Sequence, residues 1–185
     1  EAQGSRAGER LIFNFQWFSS VRAITGKYKG RHFSVPSSFK ARPTTDFAKE
    51  NLFNVLRSYL DFEGLRALDL FGGTGSITLE LLSRGAGRVV CVEKDYQHYS
   101  FIRKMLSMLN DPAAVVMKAD VLKFVPRCRE QFDLVFADPP YALPQLEELP
   151  ELILGSEVMA SDALLVLEHG KANDFSAHPG FVEHR

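Results

Sequence analysis

Apolar residues along the chain gather in short runs separated by segments with helical spacing. "LRALDLF" (65–71), "RVVCVE" (88–93), "AAVVMKA" (113–119), "FDLVFA" (132–137) and "ALLVLEH" (163–169) read as buried strands. Between them "GSITLELLSRG" and "DYQHYSFIRKMLSML" carry helical periodicity, "VLKFVPRCRE" a short helix, and a further helix falls near Gln145–Leu154. Ahead of the first strand, "DFAKENLFNVLRSYL" predicts a helix whose apolar face is Phe47, Leu52, Phe53, Leu56 and Leu60. Thr44 or Thr45 can cap it, with Asp46 favourable in its first turn. "RAITGKYKGRHFSV" alternates basic or polar with apolar residues around a Gly/Lys turn, the pattern of a hairpin. Short apolar strands alternating with helices predict an α/β fold: a mostly parallel central sheet with helices on both faces.

Composition agrees with that architecture. A chain of 185 residues with 45% hydrophobic content and a net charge of −1 is that of one soluble globular domain. No apolar run approaches the roughly 18 residues of a membrane span. "LIFNFQWFSSV" is too short and interrupted to span and lacks a signal-peptide cleavage pattern. Cys91 and Cys128 form no disulfide framework, which suggests a reducing cytoplasm. Neither they nor the five histidines have metal-ligand spacing, so no metal site is expected.

Charge is unevenly distributed. Residues 1–60 hold 10 Lys/Arg against 4 Asp/Glu, and residues 61–185 hold 12 against 19. A basic front on an acidic body points to a polyanionic partner at one end. Three segments are expected: an atypical 1–21, of artificial or misplaced-start origin; a basic hairpin extension over 22–44; and the α/β domain over 45–185.

The first strand runs into "DLFGGTGS" (69–76), whose Gly72, Gly73 and Gly75 allow a tight turn and close approach of a ligand to a helix N-terminus. The next strand ends in Glu93, 24 residues after Asp69, where an acid can take two ribose hydroxyls. A dinucleotide site would place a third glycine where Thr78 stands, and no P-loop lysine is present. The pattern Asp69-x-Phe71-x-Gly73-x-Gly75 instead resembles motif I of Rossmann-like S-adenosylmethionine methyltransferases. By that resemblance Glu93 holds the ribose and Asp120, with Val121 beside it, meets the adenine. Asp120 can equally cap the helix that follows.

"DPPY" (138–141) closes the fourth strand. Prolines end strands whatever a protein does, so the four letters alone favour a structural role. At the carboxyl end of a core strand in such a sheet, however, they stand where ligands bind. There they are similar to the signature of methyltransferases that modify exocyclic amino groups of bases. Asp138 and the carbonyl of Pro139 would accept hydrogen bonds from the amine, and Tyr141 would stack on the base.

Blocks spread along the chain carry a more specific resemblance. "RAITGKYKGRHFSVP", "ARPTTDFAKENLFNVL", "DLFGGTGSITLELLSRGA", "VEKD" and "FDLVFADPPY" are together similar to the bacterial 16S ribosomal RNA guanine-N2 methyltransferases of the RsmD family, over about residues 22–170. Gly72 stands where that family usually has alanine, and Leu81 where alanine is frequent, departures that leave the chemistry intact. The family continues through a final tyrosine-containing strand beyond the point where "GFVEHR" ends, so that strand is expected to be absent. The resemblance implies N2-methylation of a guanine in 16S ribosomal RNA, free or in an assembling small subunit, by a cytoplasmic monomer using S-adenosylmethionine. It makes Arg22, Lys27, Lys29 and Arg31 phosphate contacts, places Arg42 against RNA and sets Thr44 over the cofactor. The target guanine must leave its stack to reach Tyr141. Two rivals remain: a DNA adenine-N6 methyltransferase, which needs a target-recognition region that 185 residues do not accommodate, and a non-catalytic assembly factor, which would be expected to carry damaged motifs.

Overall fold

In a computed structural model the protein is described over residues 20–39, 44–170 and 173–178. The expectations for residues 1–19, for Arg42 and for the last residues lie outside these. Strands β3 (Arg66–Leu70), β4 (Arg88–Glu93), β5 (Ala114–Lys118), β6 (Phe132–Ala137) and β7 (Met159–Leu167) form one sheet in the order β5-β4-β3-β6-β7, and every pairing is parallel. The order reverses between β3 and β6, so their carboxyl ends open a crevice at the centre of the sheet.

Alternation along β3 shows how the layers form. Ala67 faces a core shared with α2 (Ser76–Ser83), α3 (Tyr96–Leu109) and α1 (Asp46–Leu56), through residues such as Leu79, Ile102 and Phe53. Leu68 and Leu70 face a second core closed by α4 (Val121–Phe124), the 3-10 turn Val125–Arg127 and α5 (Leu149–Leu154), through Val121, Val125, Leu149 and Ile153. Both faces of a parallel sheet are thus covered, as the apolar runs required.

The hairpin is present as β1 (Ser20–Arg22) and β2 (His32–Ser34), antiparallel, with Val21 opposite Phe33. It begins two residues earlier than expected, because Val21 is fully buried against the first core. Its loop runs down the side of α2: Lys27 N donates to Ser83 O at 2.7 Å and Tyr28 N to Ser83 Oγ at 3.0 Å.

Helix α1 departs from its expected face and length. Its buried stripe is Lys49, Phe53 and Leu56, spaced i, i+4, i+7, while Phe47 is 76% exposed. Lys49 goes inward because its ammonium finds acceptors there, donating to Arg22 O and to Ser76 Oγ and lying 3.8 Å from Glu80. The helix ends at Leu56 and continues as turns, with Tyr59 N and Leu60 N both donating to Leu56 O at 2.9 Å. Thr45 is the cap, accepting from Ala48 N at 3.2 Å, which leaves Thr44 for another task.

Candidate active site

The β3–α2 turn is built from left-handed residues. Phe71, Gly73 and Gly75 have φ of 63°, 54° and 74°, and Phe71 is the one that carries a side chain there, a conformation concentrated at functional turns. Gly72 is small for a different reason: a Cβ would overlap Cys91 Sγ on the neighbouring strand and stand 3.3 Å from Ile102 Cδ1. Gly72 is therefore matched to the cysteine beneath it.

Three acids surround this turn with distinct partners. Asp69 lies under it, fully buried, accepting from Thr78 N at 3.1 Å and Thr78 Oγ1 at 2.5 Å. Burial pushes its carboxyl up to about 7, against the two Thr78 hydrogen bonds. Asp69 thus pins the first turn of α2 beneath the cleft. Glu93 accepts from Gly73 N at 2.8 Å through one oxygen and from Asp95 N at 2.7 Å through the other. Each oxygen retains a lone pair for a further donor, such as a ribose hydroxyl. Asp120 caps α4 at Leu122 N, 3.0 Å away, and borders the cleft. Lys94 pairs with it at 2.7 Å and holds its carboxyl below the usual range.

Across the crevice β6 delivers Asp138, whose N–H donates to Leu70 O at 3.4 Å, fastening the acid beside the glycine turn. Its carboxyl is raised to about 6, first by burial and then by the charge of Glu168. Pro139 is buried and Pro140 exposed. Tyr141 stands 66% exposed, its hydroxyl 3.4 Å from Glu168 Oε1. Glu168 was not singled out in the sequence; the signal was an acid directly after the strand "ALLVL", paired beside the strand that carries Asp138.

A cleft of about 1370 Å³ joins these groups, bordered by Phe71, Gly73, Glu93, Asp120, Val121, Asp138, Pro139 and Tyr141 and, from the N-terminal side, by Ser38 and Thr44. It is large enough for a nucleoside with an amino-acid tail and for a base beside it. The open glycine turn, the acceptor oxygens at the ends of β4 and β5, and the acid of β6 fit S-adenosylmethionine. Gly75 is the backbone N-cap of α2 and does not border the cleft.

The basic residues do not form one patch. Arg22 pairs with Asp46 at the start of α1, near the cleft. Lys27 lies at the other end of α2, roughly 12 Å away along an eight-residue helix, pairing with Asp111 at 2.8 Å. Lys29 and Arg31 are exposed on the hairpin between. Among the described residues no group of His, Cys, Asp and Glu could hold a metal, and no helix is long and apolar enough to cross a membrane.

A parallel sheet with a glycine turn, strand-end acids and a DPPY corner converging on one cleft defines a Rossmann-like methyltransferase. The chain belongs to the family described as conserved hypothetical protein 95, whose model matches residues 21–185. It is 32% identical over 166 residues to ribosomal RNA small subunit methyltransferase D of Escherichia coli, covering 90% of this chain and 83% of that one. With the protein of the same name from Haemophilus influenzae it shares 35% over 155 residues, covering 82% and 79%. A solved structure of a hypothetical protein from Thermus thermophilus superposes with a TM-score of 0.74 at 32% identity, covering 84% of this chain and 89% of that one.

Proposed function

We propose that this protein methylates the exocyclic N2 amine of a guanine in small-subunit ribosomal RNA, with S-adenosylmethionine as donor. The observation that carries the reading is Asp138, fixed through Leu70 O beside the glycine turn, with Tyr141 exposed at the cleft mouth. The relatives named as small-subunit ribosomal RNA methyltransferases support the RNA substrate.

The cofactor would supply a methyl group on a cationic sulfur, whose methyl–sulfur bond breaks on transfer to leave a neutral thioether. An aromatic amine is a weak nucleophile because its lone pair is delocalised into the ring. Asp138 and Pro139 O accept its two N–H groups, which orients the lone pair and enriches it in electrons. Tyr141 stacks on the unstacked base and holds the amine in line. Once the new N–C bond has formed, the amine gives up a proton to water or to Asp138. The two prolines keep both acceptors rigid, so little reorganisation accompanies the charge shift.

Glu93, Asp120 and Thr44 border the donor's side of the cleft, and Arg22, Lys29 and Arg31 serve the RNA backbone. Those phosphate contacts position the RNA without reading its sequence. The test is transfer of labelled methyl to ribosomal RNA and to duplex DNA, with the modified base identified after digestion. N2-methylguanine in RNA is expected; N6-methyladenine in DNA would overturn the reading.

A further inference from the structure

The pairing of β6 with β7 brings a second carboxylate to the reacting corner. Ala137 is in register with Leu167, so Asp138 and Glu168 follow side by side on strands about 4.8 Å apart, and Glu168 N donates to Ala137 O at 2.8 Å. Residues paired in this way project to the same face of a parallel sheet. Glu168 Oε1 reaches Tyr141 Oη at 3.4 Å, so one carboxylate touches the stacking residue and neighbours the amine-holding one. Its charge is felt at Asp138, whose carboxyl it raises further after burial. Two adjacent anions oppose one another unless donors lie between them. A target that presents two neighbouring N–H donors satisfies both carboxylates at once.

We propose that Glu168 selects guanine by accepting its N1–H while Asp138 accepts the N2 amine beside it; this rests on the guanine-N2 reading above. Guanine carries two neighbouring donors on that edge. In adenine and cytosine the ring nitrogen next to the amine is an acceptor, and its lone pair would face the Glu168 carboxylate. A site built to receive a particular N–H rejects an analogue that lacks it, because its own polar group is left unpaired.

The probe is small-subunit ribosomal RNA with 2-aminopurine at the methylated position. This base keeps the 2-amine and has an acceptor at N1. Wild-type protein should methylate guanine roughly a hundredfold or more faster than 2-aminopurine. In Glu168→Gln the amide can accept from one base or donate to the other, so the gap should narrow to about tenfold or less. Tyr141→Phe removes the hydroxyl that Glu168 touches but leaves the carboxylate, and should keep the wild-type gap. Glu168 is exposed and its backbone bond is unaffected, so the Gln variant should bind S-adenosylmethionine by calorimetry as the wild type does. A gap unchanged in Glu168→Gln, or one abolished equally by Tyr141→Phe, would overturn the selection and make Glu168 an anchor for Tyr141. Wild-type transfer to adenine or cytosine in place of guanine in unmodified RNA would overturn this inference and the proposed function together.

Discussion

Asp138 accepts best from an amine as the carboxylate, because a protonated carboxyl turns an O–H donor into the site, yet burial and Glu168 both oppose that charge and set its carboxyl at about 6. The fraction in the working form therefore falls as pH drops through about 6 and is complete well above it. Single-turnover rates should be flat near pH 8 and decline below about 6, and Glu168→Gln should move the decline to lower pH by removing the like charge. Asp138→Ala should slow transfer by roughly a hundredfold or more with cofactor affinity nearly intact. Asp138→Asn still accepts through its amide oxygen and should keep substantial activity without the acid limb. Rates near those of the unaltered protein in both variants would remove Asp138 from the chemistry. Asp138 and Glu93 were legible because each ends a strand within a motif that is local in sequence. Glu168 was not, since 30 residues separate it from Asp138 and only strand register unites them.

At the scale of elements, alternation revealed the strands and the covering of both sheet faces, but the strand order is a property of crossovers that no local pattern encodes. Helix α1 shows a second limit. Phe47 is apolar and Lys49 charged, so periodicity alone placed them the wrong way round; the acceptors that satisfy Lys49 come from β1 and α2. The fit of the glycine turn against β4 is likewise invisible until Gly72 and Cys91 are brought together. Gly72→Ala should destabilise the fold by about 1–3 kcal/mol through overpacking. Cys91→Gly, which removes the overlapping sulfur, should make the same alanine markedly less costly. A double-mutant cycle in urea measures this coupling, and additive effects would show that the turn adjusts without strain.

For the whole molecule, the basic front divides into parts with different work. Asp111 is almost wholly buried and takes its hydrogen bonds from Lys27, Tyr28 and Ala113. Losing Lys27 leaves that carboxylate short of a partner at the end of the sheet remote from the cleft. Lys27→Ala should therefore lower the melting temperature and change RNA affinity little. Arg31→Ala and Lys29→Ala should do the reverse, each weakening RNA binding and making it less steeply dependent on salt. Equal RNA-binding losses from all three would mean that the RNA wraps the full length of the hairpin. Net charge, close to neutral in the whole sequence, concealed this division.

The buried ammonium of Lys49 spans three segments that are distant in sequence. It joins the carbonyl of Arg22 to the hydroxyl of Ser76, while Glu80 on α2 accepts from the amides of Ile24 at 2.7 Å and Thr25 at 3.3 Å. The hairpin cannot leave without taking the Arg22 acceptor from Lys49 and the Ile24 and Thr25 donors from Glu80, which then keep Ser76, Arg84 and each other; each hydrogen bond lost to a charged group costs about 1.5–3 kcal/mol. Local fraying is thereby suppressed, and the extension opens only with the body it lies on. In native-state hydrogen exchange the Ile24 and Thr25 amides should be as slow as those inside α2, and Lys49→Met should release them to exchange early. Fast exchange at Ile24 in the unaltered protein would mean that the extension is an independent arm.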